Sequence, residues 1–205
     1  MRVGTGAVGL GVMALFVVAG CGGGGGEREA GASARLPTAE PQGRWWSWAA
    51  AEPPDANPVV DGDRRDCWRN QPSDVWFLAG TFGGHAERVC TVPGGRPIAF
   101  PVVNTFGSPI YCANFIGSAA GRAYLDGEEI EPEVLHPEKI TVRGRAGNPV
   151  VDPGVSSSTG CGLWVQLPPL SPGAHTVEIE GQARDLEVSV TYSLTVKAQR
   201  GDETV

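Results

Sequence analysis

The sequence predicts an all-β protein: an antiparallel β-sandwich, immunoglobulin-like or jelly-roll-like, with one short N-terminal helix. The strongest observation is the segment 186–196, in which six apolar residues alternate with five polar ones. This period of two indicates a long strand with one buried and one solvated face. In addition, the other apolar runs are short and separated by glycine and proline turns, and only one segment has a helical pattern.

The remaining strands are predicted from short apolar runs and the turn residues between them. The Asp126-Gly127 pair is the usual signal of a two-residue hairpin. Leu163, Val165 and Leu167 alternate on one face of a later strand. The predicted strands lie at 75–79, 87–92, 96–103, 139–143, 163–167 and 177–179, with turns or connections at 80–84, 93–95 and 168–173.

The helical pattern covers residues 44–51. Trp45, Trp48 and Ala49 fall at positions i, i+3 and i+4, and Pro53-Pro54 ends the pattern. We expect the tryptophans to cover one end of the core, because large aromatic side chains dominate burial energetics. The alternative is a platform on which a sugar stacks.

The first twenty residues have the features of an export signal. Arg2 precedes an apolar, small-residue segment at 8–19, which is too short for a comfortable transmembrane helix. The tetrapeptide V-A-G-C, ending at Cys21, resembles the lipobox of bacterial lipoproteins. That resemblance implies cleavage before Cys21, lipidation of its thiol and a lipid-anchored domain on the extracytoplasmic face of the membrane. An ordinary secretory signal is the alternative.

The chain after the signal divides into three parts by composition. Residues 21–42 contain the lipidated cysteine and a glycine-rich stretch without hydrophobic periodicity, which predicts a flexible tether. Residues 43–198 are enough for one domain with its own core. Residues 199–205 are a short polar tail.

Charge limits the classes of partner. The chain carries 16 basic and 23 acidic residues, a net charge of −7, with no basic stripe. Nucleic acid is therefore a poor partner. The expected partners are the membrane, through Cys21, and a glycan or envelope protein.

Four further cysteines follow Cys21: Cys67, Cys90, Cys112 and Cys161. An even number in an exported chain predicts two disulfides. Three pairings are open, and Cys67–Cys90 with Cys112–Cys161 is favoured because the other two need longer-range closure. A zinc site is disfavoured, since the chain has no C-x₂-C pair and its three histidines lack ligand spacing. We expect no metal and no cofactor.

Several motifs resemble an uncharacterised group of exported bacterial proteins. The resemblance covers nearly the whole domain at the level of motifs and implies one exported unit, with Cys67 and Cys90 in its framework. It implies no activity, substrate or catalytic residue. The motifs are R-W-W-S-W (44–48), N-P-V-V-D (57–61), V-W-F-L-A-G-T-F-G-G (75–84), R-V-C-T-V-P-G-G (88–95), F-P-V-V-N (100–104), G-L-W-V-Q-L-P-P-L-S-P-G-A-H-T-V (162–177) and V-T-Y-S-L-T-V (190–196).

Catalytic patterns are weak throughout. There is no G-x-S-x-G, and the serines at 156–158 are predicted to lie in a loop. His85, in a glycine turn, is a candidate base or binding residue, with a surface histidine as the alternative. Four glutamates at 128–133 indicate a solvated acidic loop rather than a glycosidase pair. Asp61 and Asp63 flank Gly62 but lack the other oxygen ligands of a calcium loop.

Two further residues are binding candidates. Asn104 closes an apolar strand, where it contacts a ligand or caps backbone groups. Trp164 points away from Leu163 and Val165, so it lies on the outer face as a sugar-stacking residue or beneath the helix of Trp45.

These observations favour an envelope-tethered binding module without catalysis. The alternatives are an envelope hydrolase with a site assembled from scattered residues, and a scaffold or inhibitor that presents loops to a protein. A deep pocket joining His85, Asn104 and a carboxylate would favour the enzyme. A flat aromatic strip containing Trp164 would favour glycan binding, and a large exposed apolar patch a protein partner.

Overall fold

A computed structural model of the chain describes residues 39–61 and 66–199. The described residues form nine strands, two α-helices and one 3₁₀ helix, arranged as two packed sheets. The predicted all-β sandwich is confirmed. In chain order the elements are α1 (Ala39–Ala49), a 3₁₀ helix (Pro54–Ala56), β1 (Trp76–Phe77), β2 (Gly84–Val92), β3 (Ile98–Gly107), α2 (Pro109–Ile116), β4 (Ala120–Leu125), β5 (Glu128–Ile130), β6 (Glu133–Gly144), β7 (Gly154–Leu167), β8 (Gly173–Ala183) and β9 (Leu186–Val196).

The two sheets are mixed rather than purely antiparallel. Sheet A has the order β1-β3-β7-β6, and sheet B has the order β2-β9-β8-β4-β5. The pairs β1–β3 and β2–β9 are parallel, and the other pairs are antiparallel. The chain passes from sheet A to sheet B after β1 and back before β3, so these early strands are not joined by hairpins. The predicted antiparallel pairing holds for the other five pairs, and these two early pairs are the exceptions.

The core between the sheets is built by alternation. Strand β9 begins at Leu186 and ends at Val196, as the sequence pattern predicts, and its apolar residues from Val188 onward are buried. They pack against Leu163 and Val165 of β7 in one hydrophobic cluster. The Asp126-Gly127 turn joins β4 to β5 as a hairpin, with positive φ at both residues.

A third layer covers the outer face of sheet A. Helix α1 and the following segment pack on β6 and β7 in a second hydrophobic cluster that contains Trp45, Trp46, Trp48 and Trp164. Sheet A is therefore buried on both faces. The helical tryptophans are buried, as expected, but they cover the outer face of sheet A rather than one end of the core between the sheets.

Helix α1 begins earlier than the sequence pattern predicted. Its first residue is Ala39, and Pro41 and Gln42 are buried. Residues 39–42, which we had expected in the tether, form the first turn of this helix. Hydrophobic periodicity does not reveal this turn, because its residues have low hydrophobicity. Proline is compatible with the first turn of a helix, since an N–H at that place would have no intrahelical acceptor.

Helix α2 is not predicted by the sequence pattern, which allowed one helix. Ser108 caps its N-terminus by accepting a 3.2 Å hydrogen bond from the backbone N–H of Tyr111, and Pro109 begins the helix. This Ser-Pro start is a known helix signal that was overlooked. The helix has only eight residues, and Cys112 fixes it to sheet A through a disulfide to Cys161 of β7.

Both predicted disulfides are present. Cys67 is linked to Cys90 and Cys112 to Cys161, with Cα–Cα distances of 6.1 and 5.8 Å. The first pins the segment before β1 to sheet B, and the second pins α2 to sheet A. Two disulfides in one domain indicate an extracytoplasmic or exported protein.

Three polar segments expected to be loops or turns lie in strands. The serines at 156–158 belong to β7, where Ser156 pairs with Val142 of β6. Among the acidic residues, Glu128 and Glu129 lie in β5 and Glu133 begins β6. Gly84 and His85 begin β2. These segments pair through ladder hydrogen bonds and contribute few buried apolar side chains, so hydrophobic alternation does not reveal them.

A β-bulge in β3 sets the direction of the residues that follow it. The register with β7 shifts between Pro101 and Val103, and both Val102 and Val103 face the core between the sheets. The bulge reverses the alternation. As a result Asn104 and Phe106 share the face toward α1, where Phe106 joins the second cluster.

Within residues 39–61 and 66–199, no helix has the length and apolar character needed to cross a bilayer. Residues 1–20, Cys21 and most of the predicted tether and tail lie outside the described residues.

Candidate functional site

A small enclosed cavity lies where α1, the turn before β2 and the bulged part of β3 meet. Its volume is about 180 Å³. Trp45 and Trp46 of α1 form one wall, Asn104 and Thr105 of β3 another, and Phe82 of the turn lies at the rim. We call this space the Trp46–Asn104 cavity.

Two hydrogen-bond donors at this cavity have no acceptor. The indole Nε1 of Trp46 and the amide Nδ2 of Asn104 are both buried, and neither has a hydrogen-bond partner. The neighbouring indoles of α1 differ, since Trp45 Nε1 donates to Leu78 O at 2.9 Å and Trp48 Nε1 donates to Arg69 O at 2.8 Å. Trp76 Nε1, Trp164 Nε1 and the amide of Gln42 share this property, so it is not particular to the cavity.

Local structure explains why Trp46 and Asn104 both line the cavity. The bulge at Pro101–Val103 turns Asn104 toward α1, as described above. On the helix, Trp46 follows Trp45 and packs edge-on against Phe106, with ring centroids 4.7 Å apart. Since Phe106 lies two residues after Asn104 on the same face, the contact holds the Trp46 ring beside Asn104.

The rim of the cavity is a well-ordered turn. Thr81 Oγ1 donates to Gly84 O and accepts from Gly83 N, both at 3.2 Å. Gly83 and Gly84 have backbone φ angles of 118° and 93°, which residues other than glycine rarely adopt. The turn presents Phe82 with 49% of its surface exposed, an aromatic face open to solvent beside a buried polar pair.

The cavity walls are electrically neutral. None of the described residues that line it has an ionisable side chain. A buried cation lies close by, because the Arg88 guanidinium donates to the carbonyls of Val59 and Gly80, two of the lining residues.

His85, predicted as a candidate base or binding residue, lies apart from this cavity on the outer face of sheet B. Its Nδ1 is 3.2 Å from Ser189 Oγ, and its Nε2 is 3.9 Å from Glu87 Oε1. The side chains of His85 and Glu87 are 60% and 61% exposed. A serine–histidine–carboxylate order is present, but high solvent exposure removes the electrostatic advantage that an enclosed site gives a nucleophile.

The groove around His85 and the Trp46–Asn104 cavity are separate. The groove is open and shallow, with a volume of about 820 Å³, and its floor includes Ser189, Glu180 and Arg122. It contains no aromatic side chain among the described residues that line it. The pocket joining His85, Asn104 and a carboxylate, which would have favoured an enzyme, is therefore not formed.

Trp164 cannot be a surface platform. It is 1% exposed and packs edge-on against Trp45, with ring centroids 6.2 Å apart, so the alternative that it lies beneath the helix is confirmed. Of the six tryptophans, Trp68 is the exposed one at 62%, with the Arg69 guanidinium 5.2 Å from its ring. The sequence pattern gave no reason to single out Trp68.

No metal site is formed by the described residues, which contain no cluster of three or more histidine, cysteine, aspartate or glutamate side chains. Asp61 is 8% exposed, and its Oδ2 accepts from Asp66 N at 3.0 Å. This contact gives Asp61 a role in local structure, while Asp63, its proposed companion in a calcium loop, lies outside the described residues.

A second groove, of about 810 Å³, runs between α1 and β6. Arg44 on its wall donates to Asp74 and Glu40. The hydrogen bond to Asp74 raises the pKa of Arg44, and the same contact lowers the pKa of Asp74. Lys139 and Arg143, both exposed, line the same groove from β6, the edge strand of sheet A. Charged side chains on an edge strand discourage pairing with a strand of another molecule.

The residue that sequence reasoning missed most clearly is Arg88. It is 3% exposed and donates hydrogen bonds to the backbone carbonyls of Val59, Asp61, Ala79 and Gly80 at 2.8–3.2 Å. Arg88 thereby holds the turn that forms the cavity rim. An arginine at an inward position of a predicted strand is the signal that would have identified it.

Comparison with known proteins gives little guidance. No protein-family model and no curated protein sequence matches the chain. A crystal structure of a cysteine protease inhibitor from Entamoeba histolytica is similar at 13% identity and a TM-score of 0.25, covering 55% of this chain and 97% of that one. The solution structure of Amebosin is similar at 7% identity and a TM-score of 0.21, covering 55% and 96%. Similarity this low does not establish a shared fold or function.

Proposed function

We propose that this protein is a bacterial lipoprotein, anchored through Cys21, whose sandwich domain binds an envelope ligand without chemical turnover. The observation that carries the binding function is the Trp46–Asn104 cavity, a space of about 180 Å³ with uncharged lining side chains and the half-exposed ring of Phe82 at its rim.

Two further features support a binding module over an enzyme. The serine–histidine pair of His85 and Ser189 is exposed on an open sheet face, and the described residues form no metal cluster. The disulfides support an oxidising compartment, which agrees with anchoring outside the cytoplasm. A tethered domain also gains from many copies on one membrane, because multivalent contact raises weak affinity for a polymer.

Retention on envelope fractions tests the binding function. Purified full-length protein is incubated with cell-wall, glycan and envelope-protein fractions, and bound protein and released products are both measured. We expect retention on a glycan or wall fraction with no released product. Released product would support the hydrolase instead. If the protein binds none of the fractions, the proposal is contradicted.

Metabolic labelling tests the anchor. Cells are given a fatty-acid analogue, and the wild type is compared with Cys21→Ser. We expect the wild type to be labelled and found in the membrane fraction, while Cys21→Ser is unlabelled and either released or left as the longer precursor. An unlabelled wild type would contradict lipidation. The proposed binding function would remain, because it is argued from the cavity and not from the lipid.

A further inference from the structure

Resting on the proposed binding function, we infer that the envelope ligand enters the Trp46–Asn104 cavity with a compact apolar group of about six carbon atoms, while its polar part stays outside. The inference names the chemistry of the bound group, which the proposed function leaves open. It depends on three observations: unfilled space beside a buried glycine, walls that are mostly apolar, and an aromatic ring where the cavity reaches the surface.

The backbone at Gly80 shows that the space is unfilled. Gly80 is buried, yet a Cβ on it would meet only one atom within 4 Å besides its chain neighbours, Val188 Cγ1 at 3.4 Å. Gly80 and Val188 both line the cavity. Protein interiors are close-packed and keep few voids larger than a water molecule. The space beside Gly80 is therefore a gap that the side chains of the protein leave open.

The walls favour an apolar occupant over water. Nine of the thirteen lining residues have apolar side chains, and none has an ionisable one. A volume of about 180 Å³ corresponds to about six water molecules, and each buried water needs about two to four polar partners. Thr81, Asn104 and Thr105 are the lining residues with polar side chains, so they offer few such partners. An apolar cavity of roughly 150 Å³ holds one benzene molecule, so this one accommodates about six carbon atoms.

The nearby cation does not select for an anion. The Arg88 guanidinium already donates to four backbone carbonyls and to the Tyr192 hydroxyl, and Arg88 is not among the lining residues. A carboxylate or phosphate in the cavity would lose its hydration without gaining a free charged donor. A sugar ring also fits poorly, because each of its hydroxyl groups would need a partner of its own. The polar part of an envelope ligand therefore stays outside.

Phe82 marks the place where the cavity reaches the surface. It lines the cavity and is 49% exposed. Thr81 fixes the turn through its hydrogen bonds with Gly83 N and Gly84 O. An aromatic ring at this place can pack against the entering apolar group or against the apolar face of a sugar outside. The rim thus suits a ligand that has both an apolar group and a polar part.

Fluorine NMR with matched glucosides tests the inference. The full-length protein is labelled with 5-fluorotryptophan and kept in micelles of a steroidal detergent, whose rigid ring system is larger than the cavity. The signals of Trp45 and Trp46, which line the cavity, are assigned from their phenylalanine variants. The protein is titrated separately with phenyl β-glucoside, hexyl β-glucoside, glucose and acetamide.

We expect both substituted glucosides to shift the Trp45 and Trp46 signals to saturation, with dissociation constants of about 1 mM. Glucose and acetamide should leave the signals unmoved, because neither has an apolar group that fills the cavity. Trp48, Trp68 and Trp164 do not line the cavity, so their signals serve as internal controls. If neither glucoside shifts the two signals, or if glucose or acetamide shifts them as much, the inference is wrong.

The two glucosides also distinguish the sources of the apolar group. The phenyl ring represents an aromatic side chain of an envelope protein, and the hexyl group represents the alkyl chain of a wall lipid. Both place about the same number of carbon atoms in the cavity and the same sugar outside. The glucoside with the lower dissociation constant therefore identifies the source that the cavity shape favours.

Two variants alter the cavity in different ways. Gly80→Leu places a side chain in the unfilled space, and we expect it to abolish the shifts caused by both glucosides. Phe82→Ala removes the rim, and we expect about threefold to tenfold weaker binding. Gly117→Leu makes the same substitution at an exposed position with helical backbone and should bind like the wild type.

The signals of Trp48 and Trp164 show whether each variant is folded. Wild-type affinity in a folded Gly80→Leu protein would contradict the inference. If Gly80→Leu does not fold, Phe82→Ala decides the matter, because Phe82 is half exposed and its loss leaves the core intact. Wild-type affinity in Phe82→Ala would then contradict the inference.

The retention assay separates this inference from the proposed function. Wall retention that is lost in Gly80→Leu and kept in Gly117→Leu supports both proposals. Retention that is kept in Gly80→Leu supports binding at another surface and overturns the inference. Absence of retention in the wild type overturns the proposed function, while the glucoside titration still decides which group the cavity accepts.

Discussion

The guanidinium of Arg88 lies 5.7 Å from the centre of the Tyr192 ring and donates a 3.1 Å hydrogen bond to its hydroxyl. The same hydroxyl donates to Ala79 O at 3.1 Å and accepts from Ala79 N at 3.0 Å. Arg88 on β2 and Tyr192 on β9, which are register partners, thus both hold Ala79, where the chain passes from sheet A to sheet B. The motifs at 57–61, 75–84, 88–95 and 190–196 all contribute to this one contact network, which gives them a structural role.

We expect Arg88→Lys to destabilise the domain by about 3 kcal/mol. The lysine ammonium has three donors on a single nitrogen, so it cannot reach all the carbonyls that Arg88 contacts in different directions. Buried carbonyls are then left unpaired. Urea unfolding followed by tryptophan fluorescence measures the loss, and exposed Arg143→Lys, expected within 0.5 kcal/mol of the wild type, is the control. Equal unfolding midpoints for the two variants would contradict the role of Arg88.

Removing the second disulfide, whose two cysteines are fully buried, should destabilise the domain strongly. The bridge joins residues 49 positions apart, and on the loop-entropy model it contributes about 4 kcal/mol. We expect Cys112→Ala/Cys161→Ala to lower the free energy of unfolding by about 3–4 kcal/mol. Peptide mapping without reductant checks the pairing itself, and free thiols at these positions would contradict it.

Sequence patterns predicted those features that depend on alternation or on turn chemistry. The bounds of β9, the hairpin at Asp126-Gly127 and both disulfides follow from local pattern or simple counting. The serines at 156–158 were misplaced because their strand is held by hydrogen bonds to β6 with little burial. The local sequence does not indicate hydrogen bonding to a distant strand.

The candidate site was only half visible in the sequence. Asn104 was singled out because a polar residue closes an apolar strand, and it does line the cavity. Trp46 was not, because the helical pattern used Trp45 and Trp48 and gave no role to the residue between them. Nor can a sequence show a bulge, and the bulge at Pro101–Val103 is what turns Asn104 toward Trp46. The placement of Trp46 and Asn104 at one cavity therefore depends on tertiary structure.

The hairpin of β4 and β5 should make stability depend on pH through one ion pair. His175 Nδ1 and Asp126 Oδ2 are 2.7 Å apart. The hydrogen bond to Asp126 raises the pKa of His175 above its usual 6.5, and the same bond lowers the pKa of Asp126 below 3.8. The histidine contribution is complete below pH 6.5 and is lost as pH rises through the raised pKa. The aspartate contribution is present above pH 3.8 and is lost as pH falls through the lowered pKa.

Asp126→Asn isolates that pair. Asparagine tolerates the φ of 54° at this position and still accepts from Thr176 N, so the turn is kept while the charge is removed. We expect the variant to be less stable than the wild type by about 0.5 kcal/mol near pH 5, with the difference shrinking by pH 8. Urea midpoints at several pH values measure it. In a His175→Gln background the pH dependence of the difference should disappear, and its persistence there would show another cause.

The stability of the domain should depend strongly on Trp164 and hardly at all on Trp68. Trp164 is 1% exposed and packs against Trp45, so Trp164→Ala should cost about 3–5 kcal/mol of stability. Trp68 is 62% exposed, so Trp68→Ala should change stability by less than 0.5 kcal/mol. Thermal unfolding of both variants checks this. A stable Trp164→Ala protein would contradict burial beneath α1.

Two glycines of sheet B lie against the bulge of β3 that carries Asn104. Gly121 and Gly181 pair across β4 and β8, and Val102 at the bulge of β3 lies directly against them. A Cβ on Gly121 would lie 2.5 Å from Val102 Cγ1, and one on Gly181 would meet the Val102 carbonyl, which is backbone and cannot move aside. We expect Gly181→Ala to destabilise the domain by about 2–3 kcal/mol through overpacking. The displaced bulge also carries Asn104, which lines the same cavity as Trp46. In protein labelled with 5-fluorotryptophan, the fluorine NMR signal of Trp46 should therefore shift even in the absence of a ligand. Gly117→Ala is the matched control, since its Cβ finds ordinary contacts of 3.5 Å or more and its backbone is already helical. A Gly181→Ala protein with wild-type stability and an unmoved Trp46 signal would show that the bulge does not position the site.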